Sequence, residues 1–290
     1  MYGYNQMLDD IGRLTGSRLQ TEVQVLCIGK SVMGRQLLVI KIGPDAPGKK
    51  SIFINGAHHG LEYITSLFLM QAAFCLAKSE CILTKQATIY MMPMVNPDGV
   101  EIAQNAISPK DPFYEKLHRI NGGGDFCTLW QANANGVDLN HNYDAAWELC
   151  HNYAIGAPAP TRYAGPFPES EPETRAVADF TRQKQFDMAL AFHSQGEEIY
   201  WGFGKNEPAR DKIIGERLAR VTGYTLAKPT GVASFGGYKD WFVDKFHKPG
   251  YTIEVGKGKN PLPQRQIRKI YPQNMNLIYE AISCLTDSAL

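Results

Sequence analysis

Two short β-rich runs near the start of the chain predict a hairpin. The runs at 22–29 (EVQVLCIG) and 36–43 (QLLVIKIG) consist mainly of aliphatic and β-branched residues, and a polar turn separates them. A buried strand follows in the segment SIFINGAHHG and breaks at Gly56, and residues 61–78 then have apolar positions at helical spacing. The run HHGLE at 58–62 is therefore expected at a strand-to-helix junction.

Strand and helix patterns continue to alternate along the rest of the chain. The segment ATIYMMPMVNPDG at 87–99 predicts a strand that ends in a Pro-Asp-Gly turn, and residues 111–135 form a long connection interrupted by glycines. Ser170 and Glu171 suit the capped N-terminus of a helix, after which FDMALAFH predicts an apolar strand that ends at His193. Further elements are predicted as helices at 208–222 and 263–285 and as a strand at 250–255.

This alternation of strands and helices predicts an α/β fold. No internal repeat or low-complexity linker divides the sequence, so we expect residues 1–290 to form a single domain. Its sheet should be mixed, mostly parallel and twisted, with helices on both faces. Because ligands bind outside the carboxyl ends of the strands in such sheets, the strand-end residues His59, His193 and Glu254 are expected to converge.

The composition excludes several classes of protein. Hydrophobic residues make up 44% of the chain and charged residues 20%, which supplies a buried core and argues against general disorder. The formal net charge is +1 and no basic block occurs, so nucleic acid is not expected as a partner. The apolar stretch at 67–77 is too short to cross a bilayer, and the first residues lack the pattern of a signal peptide, so no membrane association is expected.

The cysteines predict a reducing compartment. They are dispersed without a CxxC pair, as reduced thiols usually are, and we therefore expect the protein in the cytoplasm. A disulfide between Cys127 and Cys150 is an alternative, because both flank the segment GVDLN. The six cysteines are Cys27, Cys75, Cys81, Cys127, Cys150 and Cys284.

The most informative residues are those that could bind a metal. His59 and Glu62 are three positions apart, a spacing that brings two side chains to one face of a turn. A catalytic zinc needs three protein ligands and an open position for water, and His/Glu/His is an established set, so we expect His193 to complete it. His58 competes with His59 for this role, but its spacing of four to Glu62 makes His59 the preferred ligand. The set predicts one zinc ion per chain and a hydrolytic reaction.

Several further segments occur together with these residues in an order that resembles the zinc carboxypeptidase family. The resemblance extends over nearly the whole chain and implies a carboxypeptidase-like fold, with His59, Glu62 and His193 as zinc ligands. It also implies that Glu254 is the catalytic carboxylate, which takes a proton from the attacking water and delivers one to the departing amine. An ion pair with a neighbour such as Lys257 is the alternative explanation of Glu254. The matching segments are GAHHGLE, NPDGV, GVDLNHNYD, YAGPFPESEPET, FHSQG, FGGYKDWF and YTIEVG.

The same resemblance assigns roles to residues around the metal ligands. Asp138 matches the aspartate that orients a ligand histidine through its free ring N–H, and Asn140 matches an asparagine that binds the substrate carboxylate or backbone. The next position holds an arginine in typical carboxypeptidases, where it grips the terminal carboxylate; here it is His141, so recognition of a free C-terminus is weakened. Gln131 replaces another family arginine, which polarises the scissile carbonyl, and keeps a hydrogen-bond donor without the charge. Val232 occupies the place of a tyrosine that closes over substrate, so we assign no residue to that role.

A cation at the base of the leaving-group pocket would distinguish this chain within the family. Lys239, in the segment FGGYKDWF, aligns with that base and favours an acidic group, although an exposed surface lysine is the alternative. Together with the histidine at 141, this resembles the branch that cleaves the γ-D-glutamyl bond to diaminopimelate in bacterial cell-wall peptides. We therefore expect a zinc-dependent γ-D-glutamyl-diaminopimelate peptidase that acts on soluble peptidoglycan fragments.

Three other functions fit parts of the pattern. The first is a metallocarboxypeptidase that releases acidic C-terminal residues, with Lys239 as the specificity cation. The second is an amidase-type deacylase of small N-acyl amino acids, which shares the His-x-x-Glu pair and a distant histidine but not the GVDLN and YTIEVG segments. The third is a binding module that keeps the zinc site without turnover, which the retained Glu254 argues against.

Overall fold

The strands of a computed structural model lie where the β-rich runs predict them. The first two, β1 (Val23–Lys30) and β2 (Gln36–Ile42), form the predicted antiparallel hairpin. The other strands, in chain order, are β3 (Lys50–Gly56), β4 (Ala87–Met92), β5 (Met188–His193), β6 (Glu198–Trp201), β7 (Thr225–Ala227) and β8 (Gly250–Glu254). The structure describes residues 1–44, 46, 48–78, 85–153, 155–205, 207–228 and 235–287.

These strands form one mixed sheet in the order β1-β2-β4-β3-β5-β8-β6-β7. The four central strands β4, β3, β5 and β8 run parallel to one another, and β2 and β6 flank them in antiparallel pairs. The predicted α/β fold with a mixed, mostly parallel sheet is therefore confirmed. The parallel centre places the carboxyl ends of β3, β5 and β8 side by side at one edge.

Helices cover both faces of the sheet. On one face the apolar sides of α1, α2, α7 and α9 form one core with alternate residues of β3 and β5, whereas α6 and α8 belong to the core on the other face. No helix in the described parts of the chain is long and apolar enough to cross a membrane. The described helices are α1 (Tyr4–Thr15), α2 (Ile64–Lys78), α3 (Pro97–Ala103), α4 (Tyr114–Ile120), α5 (Trp147–Tyr153), α6 (Pro172–Lys184), α7 (Ala209–Thr222), α8 (Tyr238–Phe246) and α9 (Ile267–Thr286).

The start of α3 differs from the turn that the sequence predicts. Asn96 caps this helix, because its side-chain oxygen accepts a hydrogen bond of 2.8 Å from the backbone N–H of Gly99. Proline at the first helical position has no N–H to lose, so the Asn-Pro pair begins a helix here. The predicted Pro-Asp-Gly turn is therefore wrong.

The predicted caps of α6 are also wrong. Glu171 occupies the N-cap position, but its side chain makes no capping hydrogen bond. Its carboxylate instead accepts hydrogen bonds of 2.8 Å from both Asn133 and Asn135, and one of 2.9 Å from Ser170. Both predicted residues thus join a network that reaches across to another loop.

The described cysteines are free thiols. The disulfide between Cys127 and Cys150 that the sequence left open is therefore not formed. Burial raises the pKa of the Cys150 thiol to about 12, which keeps it protonated and unreactive. Cys81 and Val232 lie outside the described residues.

A cluster of aromatic rings secures the contact between the sheet and the α6/α8 layer. The ring of Phe53 on β3 is fully buried and lies 5.0 Å from that of Phe186, 5.8 Å from Phe180 and 5.9 Å from Tyr238, measured between centroids. We expect Phe53→Ala to lower the free energy of unfolding by about 3–5 kcal/mol, because it leaves a cavity in this cluster. Urea unfolding followed by circular dichroism measures this change.

The matched control for this prediction is Phe167→Ala, since the Phe167 side chain is 57% exposed. It should change the free energy of unfolding by less than about 0.5 kcal/mol. Equal losses in the two variants would contradict the assignment of Phe53 to the packing core.

Candidate active site

The ends of three parallel strands bring the predicted site residues together. His59 follows β3, whereas His193 and Glu254 are the last residues of β5 and β8. The latter two are direct neighbours in the parallel register. The convergence expected from topology is therefore observed.

A tight turn after β3 orients the HHGLE run. Ala57 has a φ of 52°, a left-handed conformation that turns the chain sharply at the end of the strand. Gly60 then packs so closely against its surroundings that an added Cβ would lie 2.3 Å from the carbonyl oxygen of Gly99. Because no larger residue fits at this approach, glycine is required between the two predicted ligands, His59 and Glu62.

His59, Glu62 and His193 form a group that could hold a metal ion. One ligand atom from each lies within 4.8 Å of those of the other two. The carboxylate of Glu62 lies between the rings, with its oxygens 2.9 Å from Nδ1 of His59 and 3.0 Å from Nδ1 of His193. Two imidazoles and one carboxylate converge here on one point, and this donor set suits zinc.

His58, the competing candidate, points elsewhere. Its Nε2 lies 3.0 Å from the hydroxyl of Tyr143, and its ring stacks on that of Tyr238 at a centroid distance of 5.9 Å. Burial lowers its pKa well below the ordinary value, so the ring is neutral. The preference for His59 over His58 agrees with this geometry.

Asp138 fixes the orientation of the His59 ring. Its Oδ1 lies 3.1 Å from Nε2 of His59, and its Oδ2 accepts a 3.0 Å hydrogen bond from the backbone N–H of Arg162. A carboxylate can only accept, so Nε2 of His59 must carry the proton in this contact. This leaves Nδ1 of His59 directed toward the candidate metal position, as the family resemblance implies.

The charges in this group favour binding of a cation. Burial alone would raise the pKa of Glu62, but His59 and His193 outweigh it and lower that pKa to about 2. Burial likewise opposes the charged ring of His59, yet the carboxylates on its two sides raise its pKa well above the usual value. Before a metal binds, a proton therefore occupies the space between ring and carboxylates, and metal binding should release it.

Asp138→Asn should lower the affinity for zinc by about 10–100-fold. An asparagine cannot accept from both His59 and the backbone N–H of Arg162, because one of its two positions is an NH₂ donor. The ring would lose its fixed tautomer and orientation. Competition with a chelating dye measures the dissociation constant for zinc.

Asp144→Asn is the matched control, because Asp144 belongs to the same segment and is exposed. It should bind zinc like the wild type. An Asp138→Asn protein with wild-type zinc affinity would show that this carboxylate does not orient the ring.

Glu254 lies beside the candidate metal group and has another glutamate as its neighbour. In the antiparallel pairing of β6 and β8 its direct neighbour is Glu198, whose carboxylate accepts a hydrogen bond from the hydroxyl of Tyr200. Burial raises the pKa of Glu254 well above its ordinary value, and the charge of Glu62 adds to the rise. A bound cation would oppose this shift, so the arrangement suits a carboxyl group that can both accept and release a proton.

The alternative explanation of Glu254 as an ion-pair partner of Lys257 is wrong. Nζ of Lys257 lies 3.2 Å from the carboxylate of Glu197, which also pairs with Lys269. The lysine is thus engaged by a residue of the β5–β6 connection. Glu254 faces the cavity instead.

A cavity of about 120 Å³ opens at this edge of the sheet. Sequence reasoning missed four residues of its wall. Tyr200 and Thr252 lie opposite each other on β6 and β8, so only the strand pairing could reveal them, whereas Gly237 and Asp240 are close in sequence to Lys239. The wall consists of His59, Asn140, His141, His193, Tyr200, Gly237, Lys239, Asp240, Thr252 and Glu254.

Lys239 lies at the cavity as an ion pair and not as a lone cation. Its side chain is only 3% exposed, so the alternative of an exposed surface lysine is wrong. Nζ donates a 2.7 Å hydrogen bond to the carbonyl oxygen of Gly202 and a second one to the carboxylate of Asp240. The cavity therefore presents a positive and a negative group next to each other.

His141 and Asn140 line the cavity with fixed side chains. Nδ1 of His141 lies 3.1 Å from the carbonyl oxygen of Phe235, which can only accept, so Nδ1 carries the proton. Oδ1 of Asn140 accepts a 3.1 Å hydrogen bond from the backbone N–H of Tyr238. The groups left to face a ligand are Nε2 of His141 and the amide NH₂ of Asn140.

Gln131 is not among the described residues that line the cavity. Its amide oxygen accepts a hydrogen bond from the hydroxyl of Thr161, so its NH₂ group is the part that could donate to a substrate. Its backbone oxygen accepts a 3.0 Å bond from the N–H of Gly60 and supports the ligand turn. Substrate binding by Gln131 stays a prediction.

The segment 133–142 is held at both ends by the start of α6. The side chain of Asn133 donates to the carboxylates of Glu171, at 2.8 Å, and Glu173, at 3.0 Å. The side-chain oxygen of Asn142 accepts a 3.2 Å bond from the backbone N–H of Glu171. These buried contacts position the three predicted site residues between them.

Comparison with known proteins identifies the family and the fold. The chain is 36% identical to "Gamma-D-glutamyl-L-diamino acid endopeptidase 1" of Lysinibacillus sphaericus, over 95% of this chain and 71% of that protein. Bovine thrombin-activatable fibrinolysis inhibitor has a similar structure, with a TM-score of 0.73 and 21% identity over 97% of this chain and 95% of that one.

Murein-tripeptide amidase MpaA from Escherichia coli O157 has a TM-score of 0.59 and 22% identity, over 91% of this chain and 92% of that one. These solved structures confirm the carboxypeptidase-like fold. The zinc carboxypeptidase family model (Peptidase_M14) matches residues 13–277. The chain therefore belongs to the zinc carboxypeptidase family and is a metallopeptidase.

Proposed function

We propose that the protein hydrolyses the γ-D-glutamyl-meso-diaminopimelate bond of soluble peptides derived from peptidoglycan, in the cytoplasm. The observation that carries this proposal is the convergence of the His59, Glu62 and His193 group with Glu254 at one cavity. The substrate class follows from the relative that shares 36% identity and is named for a γ-D-glutamyl-L-diamino acid bond.

The three ligands would hold one zinc ion, with Asp138 orienting His59. When bound there, zinc supplies activation of water and stabilisation of negative charge on the scissile carbonyl. Glu254 takes the proton of the attacking water, because it is the register neighbour of the ligand His193, whereas Asp240, the other carboxyl group of the cavity wall, is paired with Lys239. The same carboxyl group then delivers a proton to the departing amine of the diamino acid.

The cavity residues would bind the leaving side of the substrate. We propose that the NH₂ group of Asn140 donates to the backbone or carboxylate of the leaving residue, and that Lys239 reaches its side chain. Gln131 would donate to the scissile carbonyl from outside the described cavity wall. Each of these assignments rests on the donor group of the side chain that is left after its hydrogen bonds within the protein.

His141 favours action within a peptide over release of a free C-terminal residue. Because Nδ1 donates to the carbonyl oxygen of Phe235, the uncharged form of the ring has Nε2 as its acceptor. An acceptor suits the N–H of a further peptide bond and repels a carboxylate. The alternative, a metallocarboxypeptidase for acidic C-terminal residues, also requires Lys239 as an unpaired cation, and Lys239 pairs with Asp240.

Incubation of the zinc-loaded protein with L-Ala-γ-D-Glu-meso-diaminopimelate tests this function. Mass spectrometry should detect L-Ala-D-Glu and free diaminopimelate, and amidation of the substrate's C-terminal carboxyl should leave the rate within about tenfold. No cleavage of this peptide, together with rapid release of C-terminal glutamate from ordinary peptides, would favour the carboxypeptidase instead.

A further inference from the structure

The ion pair in the wall of the cavity limits which side chains can bind there. Lys239 and Asp240 are each 3% exposed, and both line the cavity. An ammonium group has three donors, of which two are used here, on Gly202 and Asp240. The third can bind a ligand.

The carboxylate of Asp240 also lies close to the cavity wall. A Cβ added at Gly237 would lie 2.9 Å from Oδ2 of Asp240. Glycine at this position keeps the wall thin in front of the carboxylate. Both members of the pair thus lie within reach of a group that fills the cavity.

A ligand with a single charge is a poor match for this pair. A lone carboxylate would bind Lys239 but would be repelled by the carboxylate of Asp240. A lone ammonium would bind Asp240 but would be repelled by the ammonium of Lys239. In a buried site such an uncompensated charge is costly, because water cannot solvate it. A group with both charges can satisfy each partner at once.

We propose that Lys239 and Asp240 together bind the zwitterionic end of the leaving residue, with its carboxylate on Lys239 and its ammonium on Asp240. Diaminopimelate has such an end, whereas lysine has the ammonium alone. The cavity volume of about 120 Å³ corresponds to roughly four waters at ~30 Å³ each, enough for this small head group. The inference rests on the proposed function and names the chemical feature that the site selects.

Four peptides of the form L-Ala-γ-D-Glu-X measure the separate contributions of the distal carboxylate and the distal ammonium. X is meso-diaminopimelate, L-2-aminopimelate with only the distal carboxylate, L-lysine with only the distal ammonium, or L-norleucine with neither. We expect kcat/KM for the diaminopimelate peptide to exceed that of each single-charge peptide by at least about 30-fold. Calorimetry with the four free amino acids should give the same order of affinity for the wild-type protein.

The outcomes distinguish this inference from the proposed function. If the aminopimelate peptide were cleaved as fast as the diaminopimelate peptide, the site would select an acid and the inference would be wrong. If the lysine peptide were cleaved as fast as the diaminopimelate peptide, the site would select an amine and the inference would again be wrong. Equal cleavage of all four peptides would overturn the inference and leave the proposed function standing. No cleavage of any of them by zinc-loaded protein would overturn both.

A double variant tests the residues without leaving a buried charge unpaired. Lys239→Met combined with Asp240→Asn should abolish the preference for diaminopimelate over norleucine. The matched control is Lys212→Met with Glu216→Gln, an exposed lysine-glutamate pair on α7, and it should keep the preference. Retention of the preference in the first double variant would overturn the proposal, and the wild-type peptide series decides it even if that variant does not fold.

Discussion

Glu254→Gln is expected to lower kcat by roughly 10³-fold while leaving the zinc content unchanged. Glutamine has the same shape but cannot take a proton from water or return it to the departing amine. Glu254 lies outside the ligand set of His59, Glu62 and His193, so its replacement leaves the metal group intact. Steady-state kinetics with L-Ala-γ-D-Glu-meso-diaminopimelate measures kcat, and mass spectrometry of the metal measures zinc.

Glu198→Gln is the matched control for this prediction. Glu198 is the cross-strand neighbour of Glu254 but, unlike Glu254, is not among the described residues that line the cavity. Its replacement removes a nearby charge and should change kcat by less than about tenfold, since exposed and partly exposed charges couple weakly. If Glu254→Gln and the wild type turned over at the same rate, Glu254 would not be the base.

His193→Ala is expected to abolish stoichiometric zinc binding and to lower kcat/KM by at least about 10³-fold. The ring is 1% exposed, and its Nδ1 lies 3.0 Å from the carboxylate of Glu62. Its removal leaves two protein ligands where a catalytic zinc uses three. Metal analysis after dialysis and kinetics at a fixed zinc concentration measure the two effects.

His58→Ala tests the same prediction with an adjacent histidine. Because His58 contacts Tyr143 and lies outside the metal group, this variant should keep one equivalent of zinc. Chelation should inactivate the wild type reversibly, and added zinc should restore it but not the His193→Ala protein. A His193→Ala protein that still binds one zinc ion with wild-type affinity would contradict the ligand assignment.

The central strands and their polar ends were predictable from sequence because their signals are local. Alternation and apolar runs identify β3, β5 and β8, and a parallel sheet requires their carboxyl ends to meet. The ligand residues lie at the end of β5 or in the short segment after β3. Their convergence therefore depended on topology alone and not on the details of packing.

Other elements gave weaker local signals. No helix was predicted over α1, where the buried apolar residues Tyr4, Met7, Ile11 and Leu14 recur at helical spacing but are separated by polar residues. In α3 the Pro-Asp-Gly sequence suggested a turn, although Asn96 and proline together suit a helix start. These errors come from segments in which short motifs fit two structures.

By itself the sequence determined the family and the metallopeptidase class, and it predicted the metal ligands, the carboxylate beside them and the strand ends that bring them together. Only the tertiary structure decided the contacts of the side chains that we propose to select a substrate. Lys239 is paired with Asp240 and contacts the carbonyl oxygen of Gly202, and Nδ1 of His141 donates to the carbonyl oxygen of Phe235. Two of these contacts join residues 37 and 94 positions apart, and no local pattern of hydrophobic and polar residues encodes which backbone oxygen a side chain will meet.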